Sequence, residues 1–247
     1  MRILYIFPHP DDESFGPVPA IARQLREGHE VHLLTLTRGG ATRQRHRLGL
    51  SVDEMGEIRL AEMRDVERVL GLSGMTVLDL PDSGLAYIDP RVIERVVESE
   101  VRRLRPDILV TYAVHGISGF PDHLVTHAVV KRVFCDLRDR EPDTGPRRLA
   151  LFTLADSDEP DRKFTLATSP PEAIDVAEAV EAEDIRKGHE ALACYETYQE
   201  IIAEADPLGR VGSEIYFELF DETRDPRLRS ITEDVPGARS GGSGGDA

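Results

Sequence analysis

Short apolar runs alternate with longer amphipathic stretches along most of the chain. Residues 2–8 form an apolar, β-rich run, and a polar turn follows. Apolar positions then recur with helical spacing from about Gly16 to Glu27, closing at Gly28. Residues 31–36 (Val-His-Leu-Leu-Thr-Leu) return to a strand-like run, which completes a β-α-β unit and seeds a parallel sheet. The rhythm continues with a helix over 53–70 ending at Gly71, a strand near 75–80, a helix near 90–104 and a strand at 107–113. A helix then begins near His123, and a strand lies near 149–154. This alternation predicts an α/β fold: a single-domain, Rossmann-like, doubly wound and mostly parallel sheet.

Beyond residue 155 the pattern predicts a run at Ala173 to Val176, a long helix from Glu178 to Ala205 and a strand at 213–220. Residues 1–222 are read as the domain, and 223–247, ending in Gly-Gly-Ser-Gly-Gly-Asp-Ala, as a disordered tail. Between Thr37 and Ser51, a glycine- and arginine-rich loop reads either as a mobile substrate clamp or as a solvated loop.

The chain has 247 residues, 40% hydrophobic and 31% charged, which is enough for one full α/β core. Its formal net charge of −16 repels a phosphate backbone, so no nucleic-acid partner is expected. The apolar run at the start is too short for a signal peptide or a membrane span, and a soluble, cytoplasmic protein is expected. Cys135 and Cys194 are read as buried thiols, with one disulfide as the alternative.

In open α/β sheets, functional groups gather at the carboxyl ends of the strands. Three such ends carry unusual polar residues: His9-Pro10-Asp11-Asp12-Glu13, Asp82, and the segment His115 to His127. A hydrolytic zinc ion takes neutral imidazole nitrogens and a carboxylate oxygen, with one position left for water. His9 and Asp12, separated by a tight turn, and His123 suit that set. Asp11 then lies beside the metal, free to accept the proton of an attacking water. The competing reading makes Asp11, Asp12 and Glu13 an N-terminal cap cluster, and Glu13 is expected to be a helix-start residue under either reading.

Phe7-Pro8-His9-Pro10-Asp11-Asp12-Glu13, together with Gly119-Phe120-Pro121-Asp122-His123, resembles the LmbE-like (PIG-L) family of zinc-dependent N-acetylglucosaminyl deacetylases. The resemblance extends to about residue 220 in element order, with its specific motifs in the first half. It implies His9, Asp12 and His123 as zinc ligands, with Fe2+ or another divalent metal as alternatives, and Asp11 as general base. It also implies Arg59 and Asp82 as contacts to the sugar, against an ion pair on a helix surface and a turn-forming aspartate. The implied partner is a small N-acyl amino sugar or its conjugate, and a homo-oligomer is consistent with folds of this kind.

One position departs from the family pattern. Many members carry a histidine three residues before the zinc histidine, where this chain has Phe120. Either His115 takes that catalytic role or the metal alone polarises the carbonyl. His127 is expected to support the site or to pack rather than to ligate. A noncatalytic metal- or sugar-binding protein of the same fold is the alternative function. A Rossmann nucleotide binder is disfavoured, because no Gly-x-Gly-x-x-Gly follows the first strand.

Overall fold

A computed structural model describes residues 1–156 and 165–237. Among the described residues, seven strands form one sheet in the order β3-β2-β1-β4-β5-β7-β6. β1 (Arg2–Phe7), β2 (Glu30–Thr37), β3 (Gly74–Leu80), β4 (Ile108–Tyr112) and β5 (Arg148–Thr153) run parallel, whereas β6 (Val176–Ala179) and β7 (Glu214–Leu219) join through antiparallel pairings. β1 is the pivot: Tyr5 pairs with Leu33 on one side and Val110 on the other.

Both faces of the parallel strands are covered, which explains why they read as nearly continuous apolar runs. Ile3, Tyr5 and Phe7 point to one core, where α1 (Val18–Arg26), α3 (Val52–Leu70) and α6 (Ala182–Ala193) contribute residues such as Ile21, Met63 and Leu192. Leu4 and Ile6 point to the other, filled from α4 (Pro90–Leu104) and α5 (Pro121–Arg140) by Val97 and Val130 among others. Crossovers to opposite faces make the chains leaving β1 and β4 diverge, and a crevice opens at their carboxyl ends.

Local signals set the helix ends. Ser51 and Glu54 form a reciprocal capping box at the start of α3, and Gly71, at φ 72°, closes it. Pro121 occupies the first turn of α5, where its missing N–H leaves no bond unmade. The segment expected to be a clamp or solvated loop carries a short helix, α2 (Gln44–Leu48), and is tied down through Ala41 and Thr42. Among the described residues no helix is long and apolar enough to cross a membrane, and both cysteines are free and half-buried.

Two expectations require correction. The single long helix from Glu178 to Ala205 is several elements: Glu178 lies in β6, α6 begins behind a Glu181–Asp184 capping box, and α7 (Gln199–Ala205) and α8 (Pro207–Val211) follow. The helix stops after Ala193 because Tyr195, fully buried, turns into the core to donate a hydrogen bond to Glu13. Likewise, the segment from Thr223 is not a free tail as far as Gly237. Leu228 bridges to Val176, and Ile231 and Val235 are buried in the core on the Tyr5 face. Residues 238–247 lie outside the described residues.

Candidate metal centre

The turn after β1 is folded by its own backbone. Asp11 takes φ 81°, uncommon for a residue with a side chain, and its carbonyl accepts the N–H groups of Ser14 and Phe15, each at 2.8 Å. Its own N–H donates to the Tyr195 hydroxyl at 2.9 Å. None of the three acidic residues caps a helix, since α1 starts only at Val18 behind Pro17. Glu13, expected at a helix start, is instead fully buried and accepts from Ser14 and Tyr195 at 2.5 and 2.6 Å. Burial pushes its pKa up to about 7.

His9, Asp12 and His123 converge from the ends of β1 and β4. His9 Nδ1 lies 3.5 Å from Asp12 Oδ2, and His123 Nε2 lies 3.4 Å from Asp12 Oδ1. A tetrahedral zinc ion with bonds of about 2.0–2.2 Å holds its donors roughly 3.3–3.5 Å apart, so these separations suit such an ion. One donor atom from each of the three residues falls within a mutual 4.8 Å. The residues present therefore fit a divalent metal.

The surroundings orient each of the three. His123 presents Nδ1 to the Gly116 carbonyl at 3.0 Å, which fixes the tautomer that leaves the Nε2 lone pair facing Asp12. Its ring stacks on Tyr112 with centroids 4.4 Å apart, and burial, against the pull of Asp12, keeps its pKa below the ordinary value. Asp12 accepts the Tyr112 hydroxyl at 2.7 Å and the His9 N–H at 2.9 Å. Burial alone would raise the Asp12 pKa, but His123 and His9 carry it below the ordinary carboxylate value.

His9 turns Nε2 to Asp122 Oδ2 at 3.2 Å and Asp82 Oδ1 at 3.3 Å. Burial opposes its charge, yet the bonds to Asp12 and Asp122 and the fields of Asp12 and Asp82 raise its pKa to about 10. The cluster thus favours a cation, and a bound metal would take His9 in its neutral form. Asp122 is anchored by the Leu85 N–H at 3.1 Å, and Asp82 by the Ala41 N–H at 2.6 Å.

Arg59 does not lie on a helix surface and does not point at open solvent. It is 2% exposed, lies over the Tyr198 ring at 3.9 Å, and donates to Asp11 Oδ2 at 2.7 Å and to the Pro10 carbonyl at 2.9 Å. Its Nη2 is thus engaged by Asp11 and Pro10. Asp82 lies beside His9, with Oδ1 3.3 Å from its Nε2.

His115 is not brought to the cluster. Gly116 and Ile117, both at positive φ, fold the loop back so that the Ile117 N–H donates to His115 Nδ1 at 3.0 Å. Its Nε2 faces Ser169 and Thr153 at 3.2 and 3.3 Å. His127 places Nδ1 on the Tyr112 carbonyl at 2.9 Å, supporting the site from behind. Phe120 is 61% exposed, with its ring edge-on to His123 at 5.8 Å.

Sequence reasoning missed Tyr112, Tyr195 and Tyr198, whose roles depend on partners more than 80 residues away. It also left Asp122 without a role, although the residue stands inside the quoted second motif.

A Rossmann-like sheet with a His/Asp/His centre at its switch point defines the class. The chain belongs to the PIG-L family, described as GlcNAc-PI de-N-acetylase, whose profile matches residues 4–134. It is 31% identical over 152 residues to a 1D-myo-inositol 2-acetamido-2-deoxy-alpha-D-glucopyranoside deacetylase of Thermomonospora curvata, covering 53% of this chain and 51% of that one. The chain thus spans about half the length of the curated relatives it matches. The zinc-inhibited form of teicoplanin deacetylase superposes with a TM-score of 0.68 at 16% identity, covering 89% of this chain and 97% of that one. The 4-carboxy-2-hydroxymuconate hydratase of Pseudomonas putida superposes with a TM-score of 0.62 at 13% identity, covering 90% and 97%. Likeness at these identities establishes the fold alone, and the fold serves more than one reaction.

Proposed function

We propose that the protein is a metal-dependent amide hydrolase that removes the acyl group from the amino nitrogen of an N-acetylglucosamine-type substrate. The observation that carries this reading is the His9, Asp12 and His123 trio, with donor separations of 3.5 and 3.4 Å, beside a further carboxylate, Asp11, that lies outside it. A protein that only bound a metal or a sugar would have no use for that extra base.

His9, Asp12 and His123 would hold the ion. Zinc is proposed for this donor set, and ferrous iron suits the same donors. When bound, such an ion polarises the amide carbonyl and lowers the pKa of a water molecule. Asp11 accepts the proton of the attacking water and returns it to the departing amine. Burial lifts the Asp11 pKa to about 6 against the pull of Arg59, close to the range in which a general base works at neutral pH. Arg59 engages Oδ2 and so aims the carboxylate, while Asp82 accepts a sugar hydroxyl on the His9 side of the site. Neither Phe120 nor His115 supplies a donor for the oxyanion, and the loss of one such donor costs on the order of a hundredfold in rate.

Acetate release from N-acetylglucosaminyl inositol by zinc-loaded protein tests this reading. Chelation abolishes the release, and Asp11→Asn keeps stoichiometric metal while losing at least about a hundredfold in kcat. Stoichiometric metal binding without any release from acyl amino sugars would favour the noncatalytic alternative.

A further inference from the structure

The mouth of the metal centre is chemically two-sided. On the His9 flank stand Asp82 and Asp122, both within 3.3 Å of its outer nitrogen. On the His123 flank stand apolar side chains in solvent: Phe120 at 61% exposure and Leu124 at 40%. Phe120 and Leu124 are one helical turn apart at the start of α5, on either side of His123. Leu124 also lies beside Gly116, whose carbonyl holds His123: a Cβ built on that glycine would fall 3.2 Å from the leucine methyl.

Large apolar side chains clustered in water at the edge of a polar site mark a binding surface rather than a folding requirement. What the surface meets follows from the polarity of the two flanks. An acyl amino sugar has one end rich in hydroxyls and one that is a carbon chain, joined at the carbonyl that must approach the metal ligands. Its hydroxyls find acceptors at Asp82, on the His9 side. Its acyl chain is then directed past His123 and onto Phe120.

We propose that Phe120, with Leu124, forms an acyl-chain subsite, so that among N-acyl amino sugars this chain prefers those whose acyl group is longer than acetyl. The inference rests on the amide-hydrolase reading above for the orientation of the substrate. It also gives the residue at position 120 a function of its own: a flat apolar wall where a polar donor would repel an alkyl chain.

Calorimetry on zinc-loaded protein tests it with three probes below their micelle concentrations: methyl 2-acetamido-2-deoxyglucoside, its N-octanoyl counterpart, and the octyl glycoside of N-acetylglucosamine. The N-octanoyl sugar is expected to bind on the order of tenfold more tightly than the N-acetyl sugar, as partial burial of several methylenes implies. Phe120→Ser and Leu124→Ser should each cut that ratio severalfold, and kcat/KM for the two amides should follow the same order. Equal affinities, or a ratio that neither variant moves, would overturn the subsite. So would a preference shown only by the octyl glycoside, or a dimer in sedimentation that hides the rim and is dissociated by Phe120→Ser. The hydrolase reading fails separately, if the N-octanoyl sugar binds with the Phe120-dependent preference yet no amide is cleaved.

Discussion

Asp12 has four polar neighbours for two oxygens, and the two that would not themselves ligate a metal are the His9 backbone N–H and the hydroxyl of Tyr112. It donates to Oδ1 at 2.7 Å, while the parallel stacking of the same ring holds the His123 imidazole at 4.4 Å. Tyr112→Phe keeps the stack and removes the bond, so metal affinity is expected to fall about 10–100-fold with the fold intact, measured by competition with a chromophoric chelator. Much of the centre was legible in the sequence at this scale. His9, Asp11, Asp12 and His123 stand in two short motifs, each placed by a strand end. Arg59 was legible only as a site residue, because its pairing with Asp11 spans 48 positions and depends on how α3 lies against the turn. His115 looked available because it stands at the same strand end, but the two positive-φ residues after it fold the loop so that its ring is engaged elsewhere.

The β/α alternation of the first 155 residues was readable because strands buried on two faces and helices buried on one produce different periods. The break after Ala193 was not readable, since it serves a contact between Tyr195 and Glu13 across 182 positions. The segment 223–237 was hidden for a different reason: its apolar residues, Leu228, Ile231 and Val235, are diluted among charged ones. What pins it is Arg148 at the start of β5, fully buried. Its guanidinium donates to the carbonyls of Ile231 and Glu233, each at 2.6 Å, and pairs with Glu222 at 2.8 Å. Arg148→Met leaves those acceptors without their donor and is expected to lower stability by about 3 kcal/mol in urea unfolding, with faster proteolysis within 223–237. Unchanged stability would show that the segment is held by its apolar residues alone.

For the whole molecule, pH acts through two buried carboxyl groups raised to about 7, Glu13 beside the metal centre and Glu178 away from it. Glu178 in β6 is fully buried beside Gln24 and the Ile231 N–H, and burial raises its pKa to about 7 against the pull of Arg23. A carboxyl whose pKa is higher folded than unfolded binds more protons in the folded state. Its contribution to stability is therefore present below the unfolded value and is lost as pH rises through about 7. Between roughly pH 4.5 and pH 7 this one group should remove on the order of 3 kcal/mol. Glu178→Gln is expected to remove its own share of that slope while the Glu13 share stays, read from urea midpoints across the range, and to make the protein more stable than wild type at pH 8.

The same sheet that buries Glu178 brings the carboxyl ends of β1 and β4 together, and the proposed chemistry depends on that meeting. In that chemistry Asp11 is a base distinct from the ligands of the metal. Parallel measurement of bound zinc and of acyl release for wild type and Asp11→Asn tests it most directly. Full metal occupancy in both, with turnover at least about a hundredfold lower in the variant, is the predicted result. Equal turnover at equal occupancy would contradict it.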